Sequence, residues 1–240
     1  MKQLKMTALA LALTSIATGS AMAQSSKTNA WEGFAADIGV GYGNFAPKLS
    51  GGNAGPWNTP SQYPNYVPAG TPLTDQANSV NTGVARLAVG YNYGINSDYV
   101  IGIGASYYPG ASSSATGAFG VGGPPNSSFT YNVKNIYSVF LTPGYVIDKD
   151  RLVYAKVGYA GSTMGLNSPT LAYSTLNLTG YNLGLGYKQM LTQSIYFVGE
   201  ANYTSMSNKT ANVTTTYGLP LSAPIGATGY DFLVGVGYRF

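Results

Sequence analysis

Between Phe34 and Gly43 every second residue is apolar: Phe34, Ala36, Ile38, Val40 and Tyr42 alternate with Ala35, Asp37, Gly39, Gly41 and Gly43. Period two belongs to the β-strand, so this stretch presents one apolar face and one small or polar face. The same alternation recurs seven times along the chain. It runs through Ala85, Leu87, Val89, Tyr91 and Tyr93; through Tyr99, Ile101, Ile103, Ala105 and Tyr107; and through Tyr137, Val139, Leu141, Pro143 and Tyr145. It continues in Val153 to Tyr159, Tyr181 to Tyr187 and Ile195 to Tyr203, and it closes the chain from Tyr230 to Phe240. The intervening stretches 46–80, 109–130, 161–174 and 204–228 are long, whereas 94–98, 147–151 and 188–194 are short. Four long and three short links fit eight strands joined by tight turns on one side and extended loops on the other. Pro143 conflicts with its strand, because proline donates nothing to a ladder; a bulge or a lost bond is expected there.

Charged residues make up only 8% of the chain, against about 25% in soluble domains. A soluble barrel would stud its second face with Lys and Glu. Here that face is Gly, Ala, Ser, Thr and Asn, which suits a narrow lumen packed with side chains. No segment after the first two dozen residues is apolar for the ~20 residues a membrane helix needs. The pattern therefore predicts an all-β fold, an eight-stranded antiparallel transmembrane up-and-down β-barrel. Only helices and closed barrels satisfy every backbone group in hydrocarbon.

The start of the chain is of another kind. Lys2 and Lys5 precede an apolar run from Met6 to about Ile16, and Ala21-Met22-Ala23 fits a cleavage site before Gln24. Residues 1–23 read as a secretory signal peptide and 24–240 as the barrel. Of 12 basic and 8 acidic residues, Lys2 and Lys5 would leave with the signal, so the exported chain is nearly neutral. Nucleic acid is not an expected partner.

Extending the strand phases puts Asp37, Arg86, Lys156, Glu200 and Asp231 on the lumen face. Paired, they form a structural ion network; rearranging, they would form a polar gate in a narrow pore. The structural reading is preferred because an eight-stranded lumen is normally filled. The chain has no Cys and no His. A serine nucleophile would therefore lack its usual base, and no catalytic, cofactor or metal site is expected. Asp148 and Asp150 sit with Lys149 and Arg151 in a short turn, where charges solvate a bend. The Gly-rich stretches carry no GK[ST] and open no helix, so they cradle no phosphate. The external loops remain. They are almost uncharged, with Lys48 and Asp75 in the first and Lys209 in the fourth. Trp57, Tyr63 and Tyr66, set among prolines in the first loop, are candidate contacts for a glycan or a host or surface protein. Gly110 to Ser128 is Ser/Gly-rich and expected to be mobile.

The last strand, Tyr230-Asp231-Phe232-Leu233-Val234-Gly235-Val236-Gly237-Tyr238-Arg239-Phe240, resembles the C-terminal assembly signal of bacterial outer-membrane barrels. Phe232, Val234, Val236, Tyr238 and the terminal Phe240 carry the likeness. Ser138 to Tyr145 and Tyr154 to Tyr159 are similar to middle strands of the small opacity-type, OmpA-barrel and OmpX-like proteins. The resemblance implies Sec-type export to the outer membrane, contact with its lipid and lipopolysaccharide, and recognition by the barrel-assembly machinery. It implies an architecture rather than an activity. A structural or surface-interaction role is the leading reading, a narrow passive pore the alternative and a lipid-modifying enzyme a weaker third.

Overall fold

The computed structural model describes residues 28–58 and 67–240. Its strands are β1 (Gly33–Leu49), β2 (Gly52–Ala54), β3 (Thr71–Ala77), β4 (Val80–Gly94), β5 (Tyr99–Ala111), β6 (Ala115–Val121), β7 (Ser127–Asp148), β8 (Arg151–Ser168), β9 (Leu171–Met190), β10 (Ile195–Thr214) and β11 (Pro220–Arg239). All pairings are antiparallel. The eight long strands follow the ring β1-β4-β5-β7-β8-β9-β10-β11, and β11 pairs back onto β1 from Ala35↔Arg239 to Leu49↔Ile225. The expected eight-stranded barrel thus closes without a free edge, as hydrocarbon requires.

The apolar phases of the sequence point outward. Ile38, Val40, Val89, Ile103, Val139, Leu141, Val157, Leu183, Leu185, Phe232 and Val234 are all exposed. Tyrosines ring both ends of this band: Tyr99 pairs with Tyr145 near the short turns, and Tyr107 with Tyr137, Tyr159 with Tyr181 and Tyr203 with Tyr230 toward the other end. Amphipathic rings at two levels mark the two membrane interfaces.

Beyond the second ring of tyrosines the strands continue, which is where the structure departs from the expected loops. The apolar face also changes sides. On β8, Val157 and Tyr159 point out while Met164 and Leu166 point in; on β11, Phe232 and Val234 point out while Leu221, Ile225 and Ala227 are buried. Outside the membrane the solvent is water, so apolar groups gain by turning inward. β2 resumes the path of β1 along β11 at Asn53↔Ser222, β3 leads into β4, and β6 resumes the path of β5 along β7 at Ala115↔Tyr131. With β2–β3 and β3–β6 paired, the strands β2, β3, β6, β7, β8, β9, β10 and β11 form a second ring above the first, in which β9 and β10 are joined among the described residues by the bridge Leu171↔Thr215 rather than by a continuous ladder. The stretch Gly110 to Ser128, expected to be mobile, contains β6. Most of 161–174 and 204–228 is strand as well.

At Pro143 the β7–β8 register is unchanged between Leu141↔Val157 and Gly144↔Tyr154, with the intervening pairs missing. The proline costs ladder bonds rather than creating a bulge.

Candidate functional site

The lumen is filled in three layers. Nearest the short turns lie Trp31, Val100, Val146, Leu152, Tyr154, Tyr196 and Val198. Room for these rings comes from glycine: a side chain at Gly186 or Gly237 would run into the Tyr154 or Tyr196 phenol. Above the membrane the interior is apolar, from Val80, Phe129 and Tyr131 to Leu178, Met206 and Ile225. Between the two lies the polar layer.

Arg86 on β4 is its hub, 2% exposed. Its guanidinium donates to Asp37 Oδ1 at 2.5 Å and to Glu200 Oε1. Glu200, on β10, also accepts from Lys156 Nζ at 2.9 Å, from the Tyr154 hydroxyl at 2.5 Å and from Asn202 Nδ2 at 2.9 Å. Asn202 donates in turn to Asp231 Oδ1 at 2.9 Å, and the Tyr108 hydroxyl lies 3.3 Å from both Asp231 oxygens. Tyr196 reaches Asp37 Oδ2 at 3.3 Å. Five strands thus bring the five lumen charges into one chain of contacts, with Asp231 joined through Asn202 rather than by an ion pair.

Lys188 is a member that sequence reading passes over. Its ammonium stands 4.9 Å from the Tyr196 ring centroid and 5.3 Å from that of Tyr154. Lys156 stands 4.4 Å over Phe140. Parity was the available signal: Tyr181, Leu183 and Leu185 face out, so the even position 188 faces in. The short link 188–194 begins at this residue, which leaves it just outside the strand. With Lys188 included, three basic side chains share the layer with three carboxyls, and the ion pairs among Arg86, Asp37, Lys156 and Glu200 offset the cost of burying those four. Among the described residues no group of three or more acidic side chains gathers where it would hold a metal ion.

The remaining candidates lie elsewhere. Asp148 and Arg151 form an exposed pair at 2.5 Å in the turn after β7, and the hydrogen bond from Arg151 holds the Asp148 carboxyl below its usual range. Trp57 exchanges backbone bonds with Val67, and its indole N–H donates to the Tyr217 carbonyl at 2.9 Å, joining the first external connection to the last. Tyr217 itself is 72% exposed. Tyr63 and Tyr66 lie outside the described residues. Phe232, Val234, Val236, Tyr238 and Phe240 form an exposed stripe down β11.

A family model for the outer membrane protein beta-barrel domain matches residues 8–240. Among solved structures the chain is similar to the outer membrane protein OprG from Pseudomonas aeruginosa, with 12% identity, a TM-score of 0.55, and coverage of 87% of this chain and 97% of that one. It also matches the outer membrane protease OmpT from Escherichia coli at 12% identity and a TM-score of 0.48, over 86% of this chain and 96% of that one. Ail of Yersinia pestis, solved with the heparin analogue sucrose octasulfate, matches at 14% identity and a TM-score of 0.44, over 87% and 99%. At these identities the likeness is one of fold. No curated protein matches the chain.

Proposed function

The chain belongs to the outer membrane protein β-barrel family and resides in the outer membrane, and from that premise we propose that it is a structural barrel whose external extension engages molecules at the cell surface. The observation that carries this reading is the second ring of strands. Strands β7 to β11 run on past the outer tyrosines with β2, β3 and β6 filling the gap, and Trp57 and Tyr217 meet at the rim. A rigid wall presenting aromatic groups loses little conformational entropy on binding, which favours recognition. With few charges near the rim, the partner is a neutral glycan or a surface protein, read through Trp57, Tyr63 and Tyr66, rather than a polyanion. Around the lower ring the neighbours are outer-membrane lipid and lipopolysaccharide. Export would remove residues 1–23, and the β11 stripe ending at Phe240 would serve the assembly machinery.

The packed lumen supports the structural reading over a narrow pore, since ions would have to displace paired charges. The absence of histidine weighs against a lipid-modifying enzyme. A binding screen tests the main reading: refolded protein against neutral glycans, matrix proteins and lipopolysaccharide, beside a variant with 55–70 replaced by a two-residue turn. The native protein is expected to bind a glycan or protein that the variant has lost. Equal binding by both, or none, would overturn it.

A further inference from the structure

Among the described residues the ladder of the barrel wall breaks above the outer tyrosines between β9 and β10, which part beyond Met206↔Gly180 and meet again at the bridge Leu171↔Thr215, and also between β4 and β5, where cavities lie behind the break. β4 and β5 are paired from Leu87↔Tyr107 to Gly94↔Val100. Above that, among the described residues, no backbone ladder joins Val80–Arg86 to the residues from Tyr108 on. The two sides approach again only where Ser113 N–H reaches Thr82 Oγ1 at 3.5 Å and where Asn78 N–H donates to the Thr116 carbonyl at 3.0 Å. The cause is local. Pro109 lacks an N–H, Gly110 adopts φ +94°, and Asn135 across from them adopts φ 52°. Together they slip the β5–β7 register by one residue between Tyr108↔Ile136 and Ala111↔Lys134. Bulges bend and twist a strand, and here the bend leaves the β4 side unpaired. The opening lies just above the outward Tyr107, at the level of the outer interface.

Behind it the interior is not fully packed. A cavity of about 30 Å³ sits in the opening between Val84 and Pro109. It shares Phe45, Tyr108, Val133 and Ile136 with a second of about 30 Å³. That one shares Met164 with a third of about 80 Å³, walled by Leu73, Phe129 and Leu221. The floor is the Tyr108–Asp231 contact. Asp75, at the third cavity, already accepts the Gly51 N–H at 3.1 Å. The third is otherwise apolar, whereas Thr82 and Ser112 edge the first and Ser138, Ser162, Asn182 and Thr204 edge the second; apolar cavities admit apolar guests. Isolated voids would be packing faults, but these stand in a row that begins at a break in the wall.

We infer that this row is a binding site for one linear alkyl chain, admitted through the β4–β5 opening from the outer leaflet. The narrow succession of voids suits an unbranched chain. Met164 and Met206 line it with flexible side chains that can yield to a guest, and the hydrocarbon at the opening is rich in such chains. The chain would belong to a membrane lipid or to a free alkyl compound, which the test separates.

Methionine methyl NMR on the full barrel in lipid nanodiscs reads the site directly, because Met164 and Met206 lie in the cavity wall and Met190 packs at the opposite end of the lumen. Titration with n-decane is expected to shift Met164 and Met206 saturably and leave Met190 still. Contact between lipid terminal methyls and Met164 before any decane is added assigns the occupant to lipid; saturation by decane without that contact assigns it to free alkyl compounds. Neither contact nor saturation, or equal movement at Met190, overturns the site. Ala227→Leu, which fills the second cavity, should weaken saturation about tenfold, the equivalent of roughly two methylenes turned out. Thr82→Phe, at the opening, should slow exchange without changing the saturated shift. An unchanged exchange rate would overturn the entry route. Retained heat-modifiable gel migration shows that each variant has folded.

Discussion

Arg86 has so little water around it that its partners decide whether it is tolerated. Replacing one member of a buried pair leaves the other charge uncompensated, at a cost of about 3–5 kcal/mol. Arg86→Leu and Glu200→Leu should therefore each destabilise the barrel, measured by urea unfolding in lipid vesicles. The double mutant should cost less than the sum of the two, since the second change removes a charge already orphaned. Stabilisation by either single change would mean that the side chain faces lipid. At this scale the sequence was legible where parity was unbroken: Asp37, Arg86, Lys156, Glu200 and Asp231 could all be placed by counting twos from an apolar neighbour. Lys188 needed only one more step of the same count. The links through Tyr108, Tyr154 and Asn202 could not be read, because they depend on which strands face each other across the lumen.

The strands themselves show why the external half does not read as strand from the sequence. Counting apolar residues in a fixed phase identifies a strand only while its solvent stays the same. On β9 the outward apolar residues Leu183 and Tyr181 give way to inward Leu178 and Leu176, with Thr179 and Asn177 now facing water. The alternation continues, but its sense reverses at the membrane surface, and bulges such as Met206/Lys209 on β10 disturb the count further. Leu178, 1% exposed, belongs to the external core, so Leu178→Ala should cost about 2–5 kcal/mol. Thr179→Ala on the wet face should change stability by no more than about 0.5 kcal/mol. Equal effects in vesicle unfolding would mean that the extension is not packed as a barrel. Pro143 shows the opposite lesson: its clash with the ladder was visible in the sequence, and the structure shows which of the two foreseen remedies was used.

For the molecule as a whole, closure is the governing fact. A ring closed through the membrane unfolds only by breaking ladder bonds, so the protein should fractionate with the outer membrane and run as a compact species in SDS until boiled. A single unheated and heated band, or recovery from the periplasm, would contradict the closed ring. Fold class was legible from alternation and low charge together; the second ring was not, because its short strands pair across long separations in sequence.

The second ring also governs how the cell surface looks to an antibody. Most of the described external residues lie in strands joined by short turns such as 122–126 and 169–170. Successive residues on a strand face opposite ways, so a stretch of linear sequence is never displayed whole. Sera raised against denatured protein or synthetic peptides should therefore bind blots and fail on intact cells, whereas sera raised against the folded barrel should recognise side chains gathered from several strands at once.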